Sequence, residues 1–199
     1  GMAEGTPLVA VLPGSRGGEI RFIAPAFLQA VALMARQRPD VRFVLPVVPG
    51  LRHMVEPLVR LHAPQAPITL LDGQSHEALA ACDVTLIASG TATLEAALFK
   101  RPMVIAYKLA GLSWQLMKRM GYLPWVGLPN ILLRDFVVPE RLQDDANPAQ
   151  LAADTLAWLD DPARCERVSQ RFLELHHTLR RDTARTACDA IAQVLEAPR

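Results

Sequence analysis

Short apolar runs alternate with longer segments of helical period through the first half of the chain, and that alternation leaves few folds open. Leu8-Val9-Ala10-Val11-Leu12 has no polar position and is ended by Pro13-Gly14. Residues 19–38 then carry Ile20, Ile23, Phe27, Val31 and Met34 at helical spacing. The pattern repeats, with strands at 41–48, 68–71, Val84–Ala88 and 103–106. Between them lie helices at 51–61, 75–81 with Ser75 as the cap, and 92–99. A strand apolar at every position must be covered on both faces, which is the condition of a parallel sheet between helices. Right-handed crossovers then leave a doubly wound, Rossmann-like α/β sheet.

The second half is different. Residues 109–140 are less regular, with Trp114, Leu116, Met117 and Met120 suggesting a helix ahead of a loop rich in Gly, Pro and Leu. Beyond Pro148 the period is helical throughout, at 151–159, Pro162–Leu179 and 183–195. Ala187, Ile191, Val194 and Leu195 share one side of the last segment. The organisation that follows is a tag remnant at 1–2, a Rossmann-like domain over 3–147 and a helical C-terminal tail over 148–199.

Composition narrows the function classes. A net charge of +1, from 21 basic and 20 acidic residues, offers no global field for nucleic acid or an anionic membrane. The 3 cysteines, Cys82, Cys165 and Cys188, are far apart and form neither a metal spacing nor a disulfide framework, which fits a reducing compartment. The purely apolar runs are too short to span a bilayer.

In an open parallel sheet, ligands bind beyond the carboxyl ends of the strands, so the loops there carry the candidates. After the first strand come Gly14, Ser15 and Arg16. Glycine permits close approach of an anion, the next helix begins with free N–H groups, and arginine suits a phosphate oxygen. A tight turn with a solvated arginine accounts for the same residues. After the fourth strand come Ser89, Gly90 and Thr91, with Glu95 one helical turn on. Hydroxyls and helix amides here could surround a diphosphate while the carboxylate takes a vicinal diol. Simple capping by Thr91 or Ser89, with Glu95 near the dipole, explains that loop too. Both loops lie on one edge of one sheet, which favours a nucleotide. Gly73 and Gln74, after the third strand, could meet a base edge or be an ordinary turn. Asn130 lies in an irregular loop. His62 and His176-His177 have no partners at metal spacing, and Lys118-Arg119 and Arg180-Arg181 read as solvated faces. No arrangement suggests a Ser/His/Asp triad.

Six segments in order carry a resemblance. They are Leu12-Pro13-Gly14-Ser15-Arg16 with Glu19-Ile20; Leu71-Asp72-Gly73; Ala88 through Glu95; Arg101-Pro102-Met103-Val104 with Ala106-Tyr107; Leu128-Pro129-Asn130-Ile131-Leu132; and Pro139-Glu140 with Leu142-Gln143. Together, over residues 8–143, they resemble the C-terminal half of the lipid-A-disaccharide synthase family, bacterial glycosyltransferases of the GT-B type. The resemblance implies inverting transfer of 2,3-diacylglucosamine from UDP to 2,3-diacylglucosamine 1-phosphate, without a metal or other cofactor. It implies Ser15 and Arg16 on the diphosphate with Gly90 and Thr91, Glu95 on the ribose, Gly73 and Gln74 near the uracil, and Asn130 and Gln143 facing the cleft.

The resemblance also implies an N-terminal domain, outside this sequence, that supplies the acceptor pocket and the general base. No catalytic residue is then expected in this chain, and by itself it should be inactive. The last helices would pack on that domain or on a second copy as a homodimer. The whole enzyme would work in the cytoplasm, at the inner face of the inner membrane. Two other readings remain: another UDP-sugar GT-B domain, transferase or epimerase, and a non-catalytic Rossmann-like module.

Overall fold

The computed structural model describes residues 5–108 and 123–196. The helix suggested around Trp114–Met120, and Lys118-Arg119 with it, lie outside them. Six strands form one sheet in the order β3-β2-β1-β4-β5-β6. They are β1 (Leu8–Leu12), β2 (Arg42–Val47), β3 (Ile68–Asp72), β4 (Val84–Ala88), β5 (Met103–Tyr107) and β6 (Glu140–Leu142). Every pairing is parallel. The helices are α1 (Gly17–Gln37), α2 (Arg52–His62), α3 (Ser75–Ala81), α4 (Ala92–Leu98), α5 (Leu128–Leu133), α6 (Pro148–Leu159), α7 (Pro162–Leu179) and α8 (Thr183–Glu196). The sequence thus points correctly to the α/β doubly wound sheet.

Burial follows position in the sheet. β1 and β4, at its centre, are buried at every residue, which is why their sequences show no alternation. β2 alternates, with Phe43, Leu45 and Val47 buried. β1 and β2 pair only from Leu8↔Arg42 to Ala10↔Val44. Pro46, which has no N–H to give, lies past the end of that ladder, so it leaves no bond unmade. The two strands part there.

α1 packs against α2 and α6, and α6 also meets β4 and β5. On the other side α4 packs against α5 and α7. By length and a mean hydropathy of 1.3, α1 passes for a membrane span. Its stripe of Ile20, Ile23, Phe27, Val31 and Met34 is buried in the domain core, the place of a core helix. α8 buries none of its residues, and Ile191, Val194 and Leu195 are exposed.

Three local readings change. Ser75 is the first residue of α3 and not its cap; Gln74 precedes the helix in the left-handed region, at φ 57°, with no side-chain cap bond. β6 and α5 were not legible. Glu140-Arg141-Leu142 has no apolar run and is a strand only because it pairs with Ile105–Tyr107 at the sheet edge. α5 has 6 residues, too few to show a period.

Candidate functional site

The strand order reverses direction between β1 and β4: from β1 the sheet runs through β2 to β3, and from β4 through β5 to β6. Loops leaving neighbouring strands at such a point splay to opposite faces and open a crevice. A cleft of about 880 Å³ sits there. Gly14, Ser15, Arg16 and Glu19 line it from the first loop, and Ser89, Gly90, Thr91 and Glu95 from the second. Pro46, Val48, Tyr107, Leu123–Val126 and Leu142 give it a largely apolar remainder.

The first loop is folded around Glu19. Its Oε2 accepts from the backbone N–H of Ser15 (3.0 Å) and of Arg16 (3.3 Å), and its Oε1 accepts from Arg16 Nη1 (2.9 Å). Gly14 has φ +108°, a conformation side chains rarely adopt. The amides of Ser15 and Arg16, just ahead of α1, are therefore already engaged by a carboxylate. The Arg16 side chain is 82% exposed.

In the second loop the expected caps are not made. Ser89 Oγ donates to the Val126 carbonyl at 3.0 Å, tying β4 to the segment that walls the cleft. Thr93 Oγ1 donates to the Gly90 carbonyl at 2.7 Å. Thr91 precedes α4 without a side-chain cap bond, and both Gly90 and Thr91 are exposed. Glu95 Oε2 lies 3.2 Å from His76 Nε2, and the imidazole leans on Phe99 with ring centroids 5.7 Å apart.

The remaining candidates lie off the cleft wall. Gly73 and Gln74 form a left-handed turn ahead of α3, at φ 72° and 57°, and it is Ser75 that reaches the cleft. Gln143 follows Leu142 at φ 51° and is half-buried. Asn130 does not face the cleft. It is fully buried, donates from Nδ2 to the Val138 carbonyl (2.9 Å) and to Glu140 Oε1 (2.8 Å), and accepts at Oδ1 from Val137 N (3.0 Å) and Val138 N (3.2 Å). Glu140 in turn accepts from Val126 N (2.8 Å) and Gly127 N (2.9 Å). This pair of side chains is a clamp that holds the 123–127 wall against β6. Elsewhere, burial raises the Cys82 thiol above its ordinary pKa, and His62 Nδ1 lies 3.3 Å from Gln29 Nε2.

Sequence reasoning missed His76, the clamping role of Glu140 and the apolar wall. Only His76 carried a signal, at the start of a short helix on the ligand-binding edge. The cleft combines an exposed guanidinium, hydroxyls and a carboxylate on one side with apolar surface on the other. Such a mixture suits a ligand with an anionic part, a polyol and an apolar part.

The family model for lipid-A-disaccharide synthetase matches residues 1–194. Lipid-A-disaccharide synthases of Albidiferax ferrireducens and Paraburkholderia phymatum are 54% and 50% identical, over 98% and 100% of this chain. The chain spans 51% of the length of each, about half of the curated relatives it matches. Among solved structures, WaaG, a glycosyltransferase involved in lipopolysaccharide biosynthesis, superposes with a TM-score of 0.61 at 15% identity, covering 91% of this chain and 45% of that one. The UDP-GlcNAc 2-epimerase of Neisseria meningitidis bound to UDP-GlcNAc gives 0.58 at 12% identity, covering 84% and 40%. At such identities the likeness is one of fold.

Proposed function

The chain belongs to the lipid-A-disaccharide synthase family, and we propose that its cleft binds the UDP-linked donor of the reaction, UDP-2,3-diacylglucosamine. One observation carries this reading: two loops from adjacent strands, rich in hydroxyls and closed by Arg16 and Glu95, converge where the strand order reverses. The whole protein then transfers the sugar with inversion to the 6-hydroxyl of 2,3-diacylglucosamine 1-phosphate and releases UDP. The rest of its length supplies the acceptor pocket and the general base.

In this reading the diphosphate lies between Arg16 and the exposed Gly90-Thr91 turn. Its developing charge is met there by fixed donors without a metal. Glu95 takes the ribose hydroxyls with the oxygen that His76 leaves free. The apolar side, with Tyr107 and Leu123–Val126, faces the acylated sugar. Because both its substrates are acylated, the whole enzyme would act at the cytoplasmic face of the inner membrane. A homodimer through the exposed stripe of α8 would cover Ile191 and Val194.

Calorimetric titration of UDP and UDP-GlcNAc into the chain tests the site. Loss of a hydrogen bond to a charged partner is worth about 1.5–3 kcal/mol, so Glu95→Ala should weaken UDP by roughly tenfold or more. Its effect should be much smaller on 2′-deoxy-UDP, which lacks one of the two hydroxyls. Amide NMR spectra unmoved by millimolar UDP would refute the donor reading for this chain.

A further inference from the structure

The first loop contains a carboxylate where a phosphate is expected to bind, and that needs explaining. Glu19 is not a loosely held surface side chain. It is 27% exposed, and its two oxygens take three donors from Ser15 and Arg16. Its stem lies so close to Gly14 that a Cβ there would come within 2.8 Å of Glu19 Cβ and 2.6 Å of its Oε2. Gly14 is thus shaped to admit Glu19, and Glu19 in turn fixes the backbone of Gly14–Arg16.

Arg16 is in the opposite position. Its side chain is 82% exposed, and among the described residues Glu19 is its one ion-pair partner. A carboxylate anchored by two backbone amides cannot follow a swinging arginine, so the arginine is held to it. Bonding through Nη1 leaves the rest of the guanidinium fork for another acceptor.

We infer that Glu19 is a positioning residue for donor binding: it holds the loop and one edge of Arg16 so that the guanidinium meets the diphosphate already ordered. The inference rests on the reading of the cleft as the donor site. Two effects compete when Glu19 is removed. The diphosphate is freed from the repulsion of a nearby carboxylate, and Arg16 is freed from its tether. The first is small, because the Glu19 charge is already offset by the Arg16 guanidinium and by the two backbone amides it accepts from. The second is not, since a long side chain left free must be ordered on binding at a cost in entropy. Loss of the tether therefore dominates.

The test compares dissociation constants of UDP and of uridine, which lacks the phosphates, for wild type, Arg16→Ala, Glu19→Ala, Glu19→Gln and the Arg16→Ala/Glu19→Ala double variant, at low and physiological salt. Glu19→Ala should weaken UDP by about tenfold, or about 1.4 kcal/mol, and leave uridine unchanged. Glu19→Gln, which keeps an acceptor for the amides but not the charge, should lose less. In the Arg16→Ala background Glu19→Ala should change nothing further, because the two residues act as one unit. Tighter or unaltered UDP binding by Glu19→Ala, equal losses for UDP and uridine, or additive effects in the double variant would each overturn the inference. If Glu19→Ala does not fold, the Gln variant carries the same comparison. Wild type that fails to bind UDP, or Arg16→Ala that binds it normally, overturns the donor reading itself. Normal binding by Glu19→Ala beside a weakened Arg16→Ala overturns only the role of Glu19.

Discussion

Replacing Asn130 by alanine separates two roles that the sequence could not tell apart. In the fold its carboxamide is completely buried and makes four hydrogen bonds, two as donor and two as acceptor. Alanine strands the N–H groups of Val137 and Val138 and the Val138 carbonyl, and takes one donor from Glu140. A buried polar group left without a partner costs about 1–3 kcal/mol. Val137 is only partly buried, and Glu140 keeps its bonds to Val126 and Gly127. The total should therefore be nearer about 3 kcal/mol than the sum of the maxima. That is a large share of the roughly 5–15 kcal/mol that holds a typical domain together. At about 2–4 °C per kcal/mol for a chain of this size, Tm should fall by about 6–12 °C. Urea unfolding followed by circular dichroism, with calorimetry for Tm, measures both quantities. Stability within about 0.5 kcal/mol of wild type would refute the clamp. If UDP affinity fell while stability held, Asn130 would be the ligand contact that the sequence suggested.

Two further predictions concern the fold away from the cleft. The Lys100 charge lowers the pKa of His176 below its ordinary 6.5, and Lys100 Nζ donates to His176 Nδ1 at 2.7 Å, a bond that needs the neutral ring. The unfolded chain therefore binds the proton more readily than the fold, so stability should drop as pH falls through about 6.5 and towards the lower folded value. His176→Gln should flatten that slope, and an unchanged pH–stability curve would refute the coupling. Trp158 is 1% exposed and donates from Nε1 to the Met103 carbonyl at 3.2 Å, fastening α6 to β5. Trp158→Phe gives up that bond and part of the packing, and should cost about 2 kcal/mol by chemical denaturation. A loss under about 0.5 kcal/mol would count against it.

The central strands were readable because burial on both faces removes alternation from the sequence, and β1 and β4 have that environment at every residue. β6 was not, since its sequence says little until Ile105–Tyr107 offers an edge to pair with. The candidate site was legible as a place, the pair of loops at one sheet edge. Which donors in it are already engaged was not, because that depends on rotamers and not on composition. Nothing in the sequence says that Glu19 engages the amides of Ser15 and Arg16. Asn130 looked like a loop amide awaiting a ligand, and its partners are Val137, Val138 and Glu140.

The two loop glycines show the same distinction most clearly. In the sequence each stands in a loop that could surround an anion, Gly14 by permitting its close approach and Gly90 by opening the turn. In the fold Gly14 is required by the protein itself: its φ of +108° and the Glu19 side chain against it exclude any Cβ. Gly90 is not so constrained. Its φ is ordinary, and a Cβ there would meet no atom within 4 Å. The fold alone would accept a side chain at Gly90, and a glycine there leaves the cleft side open to the close approach of a ligand. Of the two positions, Gly90 is therefore the better witness to a ligand, and Gly14 to the arrangement of Arg16 that would receive it.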